Sequence, residues 1–147
     1  MAKNSENKSE KRQIGDLGES LACRFLENKG YKIVERNYLK PYGEIDIIAK
    51  KGKETVFIEV KSVTRPYRRG TSQAGTGNEA DVTHETDSYR PEDNLHLWKL
   101  KRLTRAINSY LLENKIEEGD WRFDVVIVYL SPKTKKAEIK HIEGIVL

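Results

Sequence analysis

Hydrophobic and polar positions follow a helical period in two parts of this chain. In residues 11–29 apolar side chains recur every three or four positions, as on the buried stripe of a helix, and Gly30 is suited to cap its end. A second run of this kind covers residues 95–115. Both segments are predicted to be amphipathic helices.

Strand patterns fill most of the remainder. Residues 31–38 alternate and are rich in β-branched and aromatic side chains, while residues 43–51 (GEIDIIAKK) and 54–62 (ETVFIEVKS) predict a hairpin. Residues 121–130 (WRFDVVIVYL) are apolar on both faces, which is typical of a central strand, and a last strand is predicted within residues 137–147. The predicted order is α-β-β-β-α-β-β, an α/β fold in which helices cover both faces of a mixed sheet.

The turn of the hairpin decides which charged side chains meet. A type II′ turn over residues 51–54 would have glycine at its first central position, as that turn prefers. In the resulting register Asp46 lies directly opposite Glu59, and Glu44 lies opposite Lys61. The face that excludes these charges is predicted to be entirely apolar, because side chains alternate along a strand. It comprises Ile45, Ile47, Ala49, Val56, Ile58 and Val60.

Asp46 and Glu59 would repel each other in this register, because directly opposed residues have Cβ atoms about 5 Å apart. Either Lys61 compensates in a salt-bridge cluster on a solvated face, or a divalent cation binds between the two carboxylates. Mg²⁺ suits the second arrangement, since it takes one or two carboxylates together with waters and phosphate oxygens. Lys61 would then orient or deprotonate the attacking water and stabilise charge on the phosphate. Glu19 lies at the edge of the apolar stripe of the first helix, where spacing alone favours an exposed charge.

Composition places the chain among polar, single-domain proteins. Of its 147 residues, 37% are hydrophobic and 34% are charged. No apolar stretch reaches the roughly 18 residues of a membrane span, and the first residues lack the apolar run of a signal peptide, so we predict a cytoplasmic protein with no membrane partner. Residues 1–10 are predicted to be a disordered lead-in, and residues 11–147 a single domain with an acidic mobile insertion at about 66–94.

Charge is distributed unevenly over the chain. The formal net charge is +4, yet residues 71–94 hold six acidic residues against one arginine. Four basic residues and no acid occur in residues 61–70, and the same holds for residues 95–105. A basic body with one acidic segment indicates a polyanionic partner, although Lys-rich solvated faces would produce the same pattern.

The remaining polar candidates carry weaker signals. The single cysteine excludes an internal disulfide and a multi-cysteine zinc site. The histidines His84, His96 and His141 lack metal-ligand spacing and are predicted to lie at the surface. Asp124, inside an apolar strand, is interpreted as a buried, hydrogen-bonded structural acid rather than as part of a metal site.

The chain resembles the YraN family, small bacterial proteins predicted to be endonucleases and related to the archaeal Holliday junction resolvases. The resemblance is carried by G-E-x-x-A, G-E-I-D, E-V-K and R-F-D in this order. It runs through GDLGESLACRFLENKGYKIVERNYLKPYGEIDIIAKKGKETVFIEVKS and continues in WKLKRLTRAINSYL and RFDVVIVYL. It covers nearly the whole chain except the N-terminal lead-in and residues 66–94.

This resemblance implies the restriction-endonuclease-like fold and a PD-(D/E)xK nuclease site. By position Asp46 is the aspartate of the motif, with Ile45 where the name of the motif has proline, and Glu59 and Lys61 form the E-x-K. Glu19 corresponds to the first-helix glutamate that completes the metal site in the resolvase relatives. The implied catalytic residues are therefore Glu19, Asp46, Glu59 and Lys61, with the three carboxylates binding Mg²⁺ or, alternatively, Mn²⁺.

Basic side chains of the second helix are the predicted nucleic-acid contacts. Lys99, Arg102 and Arg105 share a broad helical face and, together with Arg65, are expected to contact phosphates, with a solvated face as the alternative. We therefore expect a Mg²⁺-dependent, endonuclease-like phosphodiesterase acting on DNA, with branched or junction DNA suggested by the resemblance. The alternative is a non-catalytic nucleic-acid-binding protein that retains the PD-(D/E)xK-like metal site. Resolution of a junction needs two active sites, and hence a homodimer.

Overall fold

A computed structural model describes residues 3–64, 97–131, 134 and 136–147, and in these ranges the chain forms a five-stranded sheet with two helices. The sheet order is β1-β2-β3-β4-β5, and every neighbouring pair is antiparallel except β3 and β4, which are parallel. The elements are α1 (Lys3–Asn28), β1 (Lys32–Lys40), β2 (Gly43–Lys51), β3 (Glu54–Thr64), α2 (Leu97–Glu113), β4 (Trp121–Leu130) and β5 (Ala137–Ile142). The predicted mixed sheet and the predicted order α-β-β-β-α-β-β are confirmed.

Both helices end in the same kind of cap. After α1, Gly30 has a φ of 89° and the N–H of Tyr31 donates to the Leu26 carbonyl over 3.0 Å. Of the two hydrogen bonds of a Schellman motif, this is the one that spans more residues. After α2, Lys115 takes the left-handed conformation and the N–H of Ile116 reaches back to Leu111 in the same way. Gly30 therefore ends the first helix, as its sequence position predicts.

The start of α1 differs from the prediction. The helix begins at Lys3, whereas the apolar pattern places its start at residue 11 and assigns residues 1–10 to a disordered lead-in. Residues 3–13 contain no glycine or proline and are rich in Lys, Glu, Gln and Arg, which are good helix formers. Helix propensity thus extends the helix beyond the stripe that packs on the sheet. The acidic insertion at about 66–94 lies outside the described residues, as do His84 and His96.

Each helix covers one face of the sheet. On one face, Ala22 and Leu26 of α1 pack with Ile47, Ile58 and Val126 from three central strands. On the other face, α2 contributes Leu103, Ala106, Ile107 and Tyr110, which pack on Ile48, Phe57, Val125 and Ile127. β4 alternates between the two cores and is buried on both sides, which confirms its prediction as a central strand. Among the described residues, no helix is long and apolar enough to cross a membrane.

The predicted hairpin register is observed near the turn and ends before the charged residues. Lys51 pairs with Glu54 and Ile47 with Ile58, and Gly52 has a φ of 62° at the first central position of the turn. Beyond Ile47 and Ile58 the described β2–β3 pairing stops. The described ladder therefore does not include the predicted pairs of Asp46 with Glu59 and of Glu44 with Lys61, although the carboxyls of Asp46 and Glu59 do meet in a hydrogen bond. On their other sides, Glu44 pairs with Leu39 of β1 and Lys61 pairs with Ile127 of β4.

Ile45 is a second correction to the hairpin. It packs in the α2-side core with Tyr38, its partner on β1, whereas Ile47 lies in the α1-side core. The change of side occurs at Asp46, next to a residue of β1, Asn37, that has a φ of 52°. Simple alternation therefore fails at this level of β1 and β2. The described pairing of β2 with β3 also ends here, next to Asp46.

Candidate active site

A cleft of about 470 Å³ lies where the pairing of β2 with β3 ends, between the middle of α1 and the start of α2. Four elements line it, and each contributes at least one charged side chain. The charged residues are Lys11 and Glu19 from α1, Asp46 from β2, Glu59 from β3 and Lys99 from α2. The separation of two strands thus brings together side chains that lie far apart in the sequence.

At the point where the two strands separate, the side chain of Asp46 accepts a hydrogen bond from the backbone of β3. Its Oδ2 accepts a hydrogen bond of 2.8 Å from the N–H of Val60, which β2 no longer reaches with its own backbone. Burial, the negative charge of Glu59 and a hydrogen bond between the two carboxyls raise the pKa of Asp46 to about 9, and Glu19 adds to the shift. In the metal-free protein at neutral pH, Asp46 therefore keeps a proton, and a hydrogen bond joins the two carboxyls.

Glu59 is the most enclosed acid of the cleft. Its side chain is 5% exposed, and its Oε1 lies 2.6 Å from the Nζ of Lys99. Burial alone would lower the pKa of Lys99, but the charge of Glu59 and their hydrogen bond outweigh burial and raise it. The lysine is therefore charged at neutral pH, and it neutralises Glu59.

Glu19 reaches the same cleft from α1. Its carboxylate is 3.7 Å from the guanidinium of Arg36, and its side chain is 16% exposed. Burial raises its pKa, while Arg36 and a hydrogen bond with Asn37 counteract the shift. The spacing-only expectation of an exposed charge is therefore wrong for Glu19.

The three acids share one cleft without forming a finished metal site. In the described parts of the chain, no group of three or more His, Cys, Asp or Glu side chains is arranged to hold a metal ion. Glu19, Asp46 and Glu59 line one cavity, but Glu19 faces Arg36 and Glu59 faces Lys99. Each acid is neutralised separately, by a guanidinium, by a proton or by an ammonium.

The donor set nevertheless suits a hard divalent cation. Asp46 and Glu59 present carboxylate oxygens, the ligands that Mg²⁺ and Mn²⁺ prefer, and they lie close enough to share a hydrogen bond. Two acids that must hold a proton between them gain from a cation that replaces it. The residues therefore fit a metal ion held by Asp46 and Glu59, with Glu19 close by on the α1 wall of the cleft.

Lys61 stays a predicted member of the site. It follows Glu59 by two residues and so projects from the same face of β3, yet the described lysines that line the cleft are Lys11 and Lys99. Lys99, which the sequence assigns to phosphate contact, instead holds the position beside Glu59. Sequence reasoning missed Lys11 as a lining residue, because its predicted helix start makes it a terminal position.

Two glycines hold the helices close to the sheet beside the cleft. A Cβ on Gly18 of α1 would lie 1.8 Å from the Oγ of Ser62, and a Cβ on Gly43 would lie 2.2 Å from the backbone oxygen of Arg102 on α2. Only glycine permits both close approaches as they stand. Each glycine directly precedes a glutamate, in the G-E pairs of the sequence, and these pairs are the signal by which the contacts could be anticipated.

The basic face of α2 continues away from the cleft. Arg102 and Arg105 are exposed, as is Lys101, and the Nε of Arg102 donates to the Tyr42 carbonyl over 3.4 Å. α2 has no acid in its first turn, so its positive end and its basic residues reinforce each other. Arg65, the fourth predicted phosphate contact, lies outside the described residues.

A second group of buried charges surrounds Asp124, under the end of α1. Asp124 is fully buried and accepts hydrogen bonds from Arg122 (3.0 Å), His141 (2.7 Å) and the N–H of Gly144 (2.9 Å). Burial opposes its ionisation, but these hydrogen bonds outweigh burial and lower its pKa. The interpretation of Asp124 as a structural acid agrees with this arrangement.

His141 is not a surface residue, in contrast to the prediction. Its side chain is 3% exposed, Nε2 contacts Asp124, and Nδ1 accepts from the Nζ of Lys29 over 2.9 Å. Its position in β5 brings it beside Asp124, because β5 pairs antiparallel with β4. The sequence contains no local signal for this contact, since the two residues are joined only by the sheet.

Comparisons with known proteins agree with the sequence resemblance. Residues 18–128 match the model of the uncharacterised protein family UPF0102. A UPF0102 protein of Alkaliphilus oremlandii is 39% identical over 135 residues, which cover 90% of this chain and 97% of the relative. A UPF0102 protein of Thermotoga petrophila is 40% identical over 127 residues (86% and 91%), and one of Moorella thermoacetica is 35% identical over 134 residues (91% and 95%).

Proposed function

The chain belongs to the uncharacterised protein family UPF0102, the YraN family, and we propose that this member is a metal-dependent endonuclease-like phosphodiesterase that acts on DNA. The observation that carries the proposal is the pair Asp46 and Glu59, two acids whose carboxyls meet in a hydrogen bond in an open cleft. A pair of this kind is unfavourable for folding and favourable for binding a divalent cation. Its place in a cleft with basic residues at the rim points to a phosphate substrate.

The residues of the cleft divide the work of hydrolysis between them. Asp46 and Glu59 would hold Mg²⁺ or Mn²⁺, with Glu19 as the third acid, and the bound ion would polarise the phosphate and lower the pKa of a water molecule. Lys61, on the Glu59 side of β3, would orient that water and stabilise the charge that develops on the phosphate. The buried position of Glu59 and the Val60 hydrogen bond of Asp46 fix both carboxylates before substrate arrives.

Positive charge at the start of α2 supports a polyanionic substrate. Lys99 lines the cleft, and Arg102 and Arg105 extend an exposed basic face from it. Phosphates bound on this face would lead a strand toward the carboxylates, and Arg65 would add to the same contacts. Branched or junction DNA is the substrate class that the family resemblance suggests, and cleavage of two strands at a junction would require a homodimer.

The test is a cleavage assay with purified protein on supercoiled, single-stranded and four-way-junction DNA. We expect cleavage with Mg²⁺ or Mn²⁺ and none with EDTA, and we expect Asp46→Asn and Glu59→Gln to abolish it. Lys61→Met should abolish turnover but spare metal binding, because lysine is not a ligand. Glu27→Gln, which changes an exposed acid of α1, is the matched control and should cleave as the wild type does. Cleavage that survives in Asp46→Asn would contradict the proposal.

A non-catalytic nucleic-acid-binding protein is the second candidate. The observation that favours it is the separate neutralisation of the three acids, above all the contact of Lys99 with Glu59. Such a protein would bind DNA and metal but cleave none of the three substrates under any metal condition. The same assay, combined with a binding measurement, therefore separates the two functions.

A further inference from the structure

Lys99 forms a close ion pair with Glu59 across the cleft. The Nζ–Oε1 distance is 2.6 Å, and the pair joins a nearly buried carboxylate to a lysine whose side chain is 45% exposed. The proposed function requires the same carboxylate oxygens for a divalent cation. The ammonium group of Lys99 therefore occupies a position beside an oxygen of Glu59 that a divalent cation would need as a ligand.

The position of Lys99 is unfavourable within its own helix. It is the third residue of α2, whose first turn contains no acid and where the backbone dipole is positive. Two further basic residues, Lys101 and Arg102, follow in the next turn. An ammonium group in this place gains nothing from the helix, so its stabilisation comes from the contact across the cleft with Glu59.

The contact can also be broken without moving the helix. A lysine side chain is a flexible four-carbon stem with a point charge at its end, and that of Lys99 is half in solvent. Its neighbours in the cleft include the hydroxyl-bearing Ser62 and Thr64 and the open space above the carboxylates. The ammonium can therefore swing from Glu59 to an anion held in the cleft by rotation of the side chain alone.

We propose that Lys99 is a built-in counterion that neutralises Glu59 in the metal-free protein, is displaced when a divalent cation binds, and then binds a phosphate of the substrate. This inference rests on the proposed function for its second half, the transfer to phosphate. The exchange couples metal binding to substrate binding, because the lysine becomes available to DNA only when the metal takes its place. Lys99 is thus a positioning residue that keeps the site neutral until it is loaded.

The first test is the affinity for Mg²⁺ and Mn²⁺ without DNA, measured by calorimetry at one fixed pH. Lys99→Met keeps the apolar stem and removes the competing charge, so it should bind the metal about fivefold more tightly than the wild type. Lys99→Arg should restore the competition, and Lys101→Met, an exposed lysine on the same helix, should bind as the wild type does. Unchanged or weaker metal binding in Lys99→Met would overturn the proposal, and so would the absence of any metal binding in both proteins.

The second test uses duplex DNA binding in EDTA and a cycle of variants at Glu59 and Lys99. With Glu59 present, Lys99→Met should change the salt dependence little, because the lysine is held on Glu59. In a Glu59→Gln background the same substitution should reduce the slope of log K against log salt by about 0.9, the value of one phosphate contact. Equal effects in both backgrounds would show that Glu59 does not sequester the lysine.

Neither readout uses turnover, so the two proposals fail separately. If the protein cleaves no DNA but shows both results, the counterion role of Lys99 stands and the proposed nuclease function fails. A protein that cleaves DNA and shows neither result would be a nuclease in which Lys99 has only a structural role.

Discussion

Asp46 and Asp124 are both aspartates of the central sheet, on β2 and β4, and their surroundings differ in every respect. Asp124 is fully buried among donors, two side chains and a backbone N–H, and its pKa is lowered. Asp46 has one backbone donor and a second acid beside it, and its pKa is raised to about 9. One carboxylate is surrounded by hydrogen-bond donors, while the other has a single backbone donor and a neighbouring acid.

The difference separates an acid with a full set of partners from the acid that we propose to be a metal ligand. The group around Asp124 is closed: Arg122 also contacts Glu54 and Tyr31, and Lys29 holds His141 from the far side. It joins the end of α1, the start of β4 and the residues after β5. The cleft around Asp46 is open, and its acids contact Lys99, Arg36 and each other. An acid that has few hydrogen-bond donors and lies in an open cleft is therefore a stronger sign of function than a buried acid whose oxygens are all hydrogen-bonded.

Removal of Asp124 should have the largest effect on stability. Asp124→Ala leaves Arg122, His141 and the Gly144 N–H without their buried acceptor, and should lower the free energy of unfolding by about 3 to 5 kcal/mol. Chemical denaturation measures this loss. Glu143→Gln, at the exposed rim of the same group, is the control and should cost less than about 1 kcal/mol. Equal losses would mean that Asp124 is no more important than the rim.

Replacement of Asp46 should raise the free energy of unfolding rather than lower it. The amide of Asp46→Asn can accept the Val60 hydrogen bond and donate to Glu59, as the protonated acid does, without the cost of keeping the proton. In EDTA at pH 8 we expect a gain on the order of 2 kcal/mol in the free energy of unfolding.

Asp46 should make the stability of the metal-free protein depend on pH. Its pKa is raised in the folded protein, so the folded state holds a proton that the unfolded state releases above its usual pKa. That contribution is fully present below about pH 4 and is lost as the pH rises toward about 9, so the metal-free wild type should lose stability over this range. Asp46→Asn should lose less, and saturating Mg²⁺ should reduce the loss in the wild type. Parallel curves for the two proteins would contradict the shared proton.

The smallest expected effect concerns how closely α1 approaches the open cleft. Gly18→Ala should cost a net of about 1 kcal/mol, because the clash with Ser62 exceeds the gain in helix propensity. Gly15→Ala is the matched control one turn away, where a Cβ meets no atom within 4 Å, and it should gain up to about 1 kcal/mol. Thermal unfolding compares the two variants. A stabilising Gly18→Ala would mean that α1 is not held against β3 at this point.

The chain's own sequence was sufficient for the fold and for the list of acids. Helical and strand periods are local, and so are the caps and the hairpin turn, which is why the element order and the Lys51–Glu54 register were predictable. The same register predicts that the motif residues Asp46 and Glu59 lie close together, one position beyond the last described pair of the hairpin. Charge composition likewise indicated the basic start of α2 without any knowledge of its contacts.

Only the tertiary structure decided which side chains these acids contact. Ile45 changes face next to Asn37 and Asp46, at the level where the pairing of β2 with β3 ends, and no period in the sequence indicates this change. The contacts of Lys99 with Glu59 and of His141 with Asp124 join residues that are 40 and 17 positions apart and that no periodicity relates. Local patterns specify which residues turn inward, whereas the partner that each buried charge meets depends on the packing of elements from the whole chain.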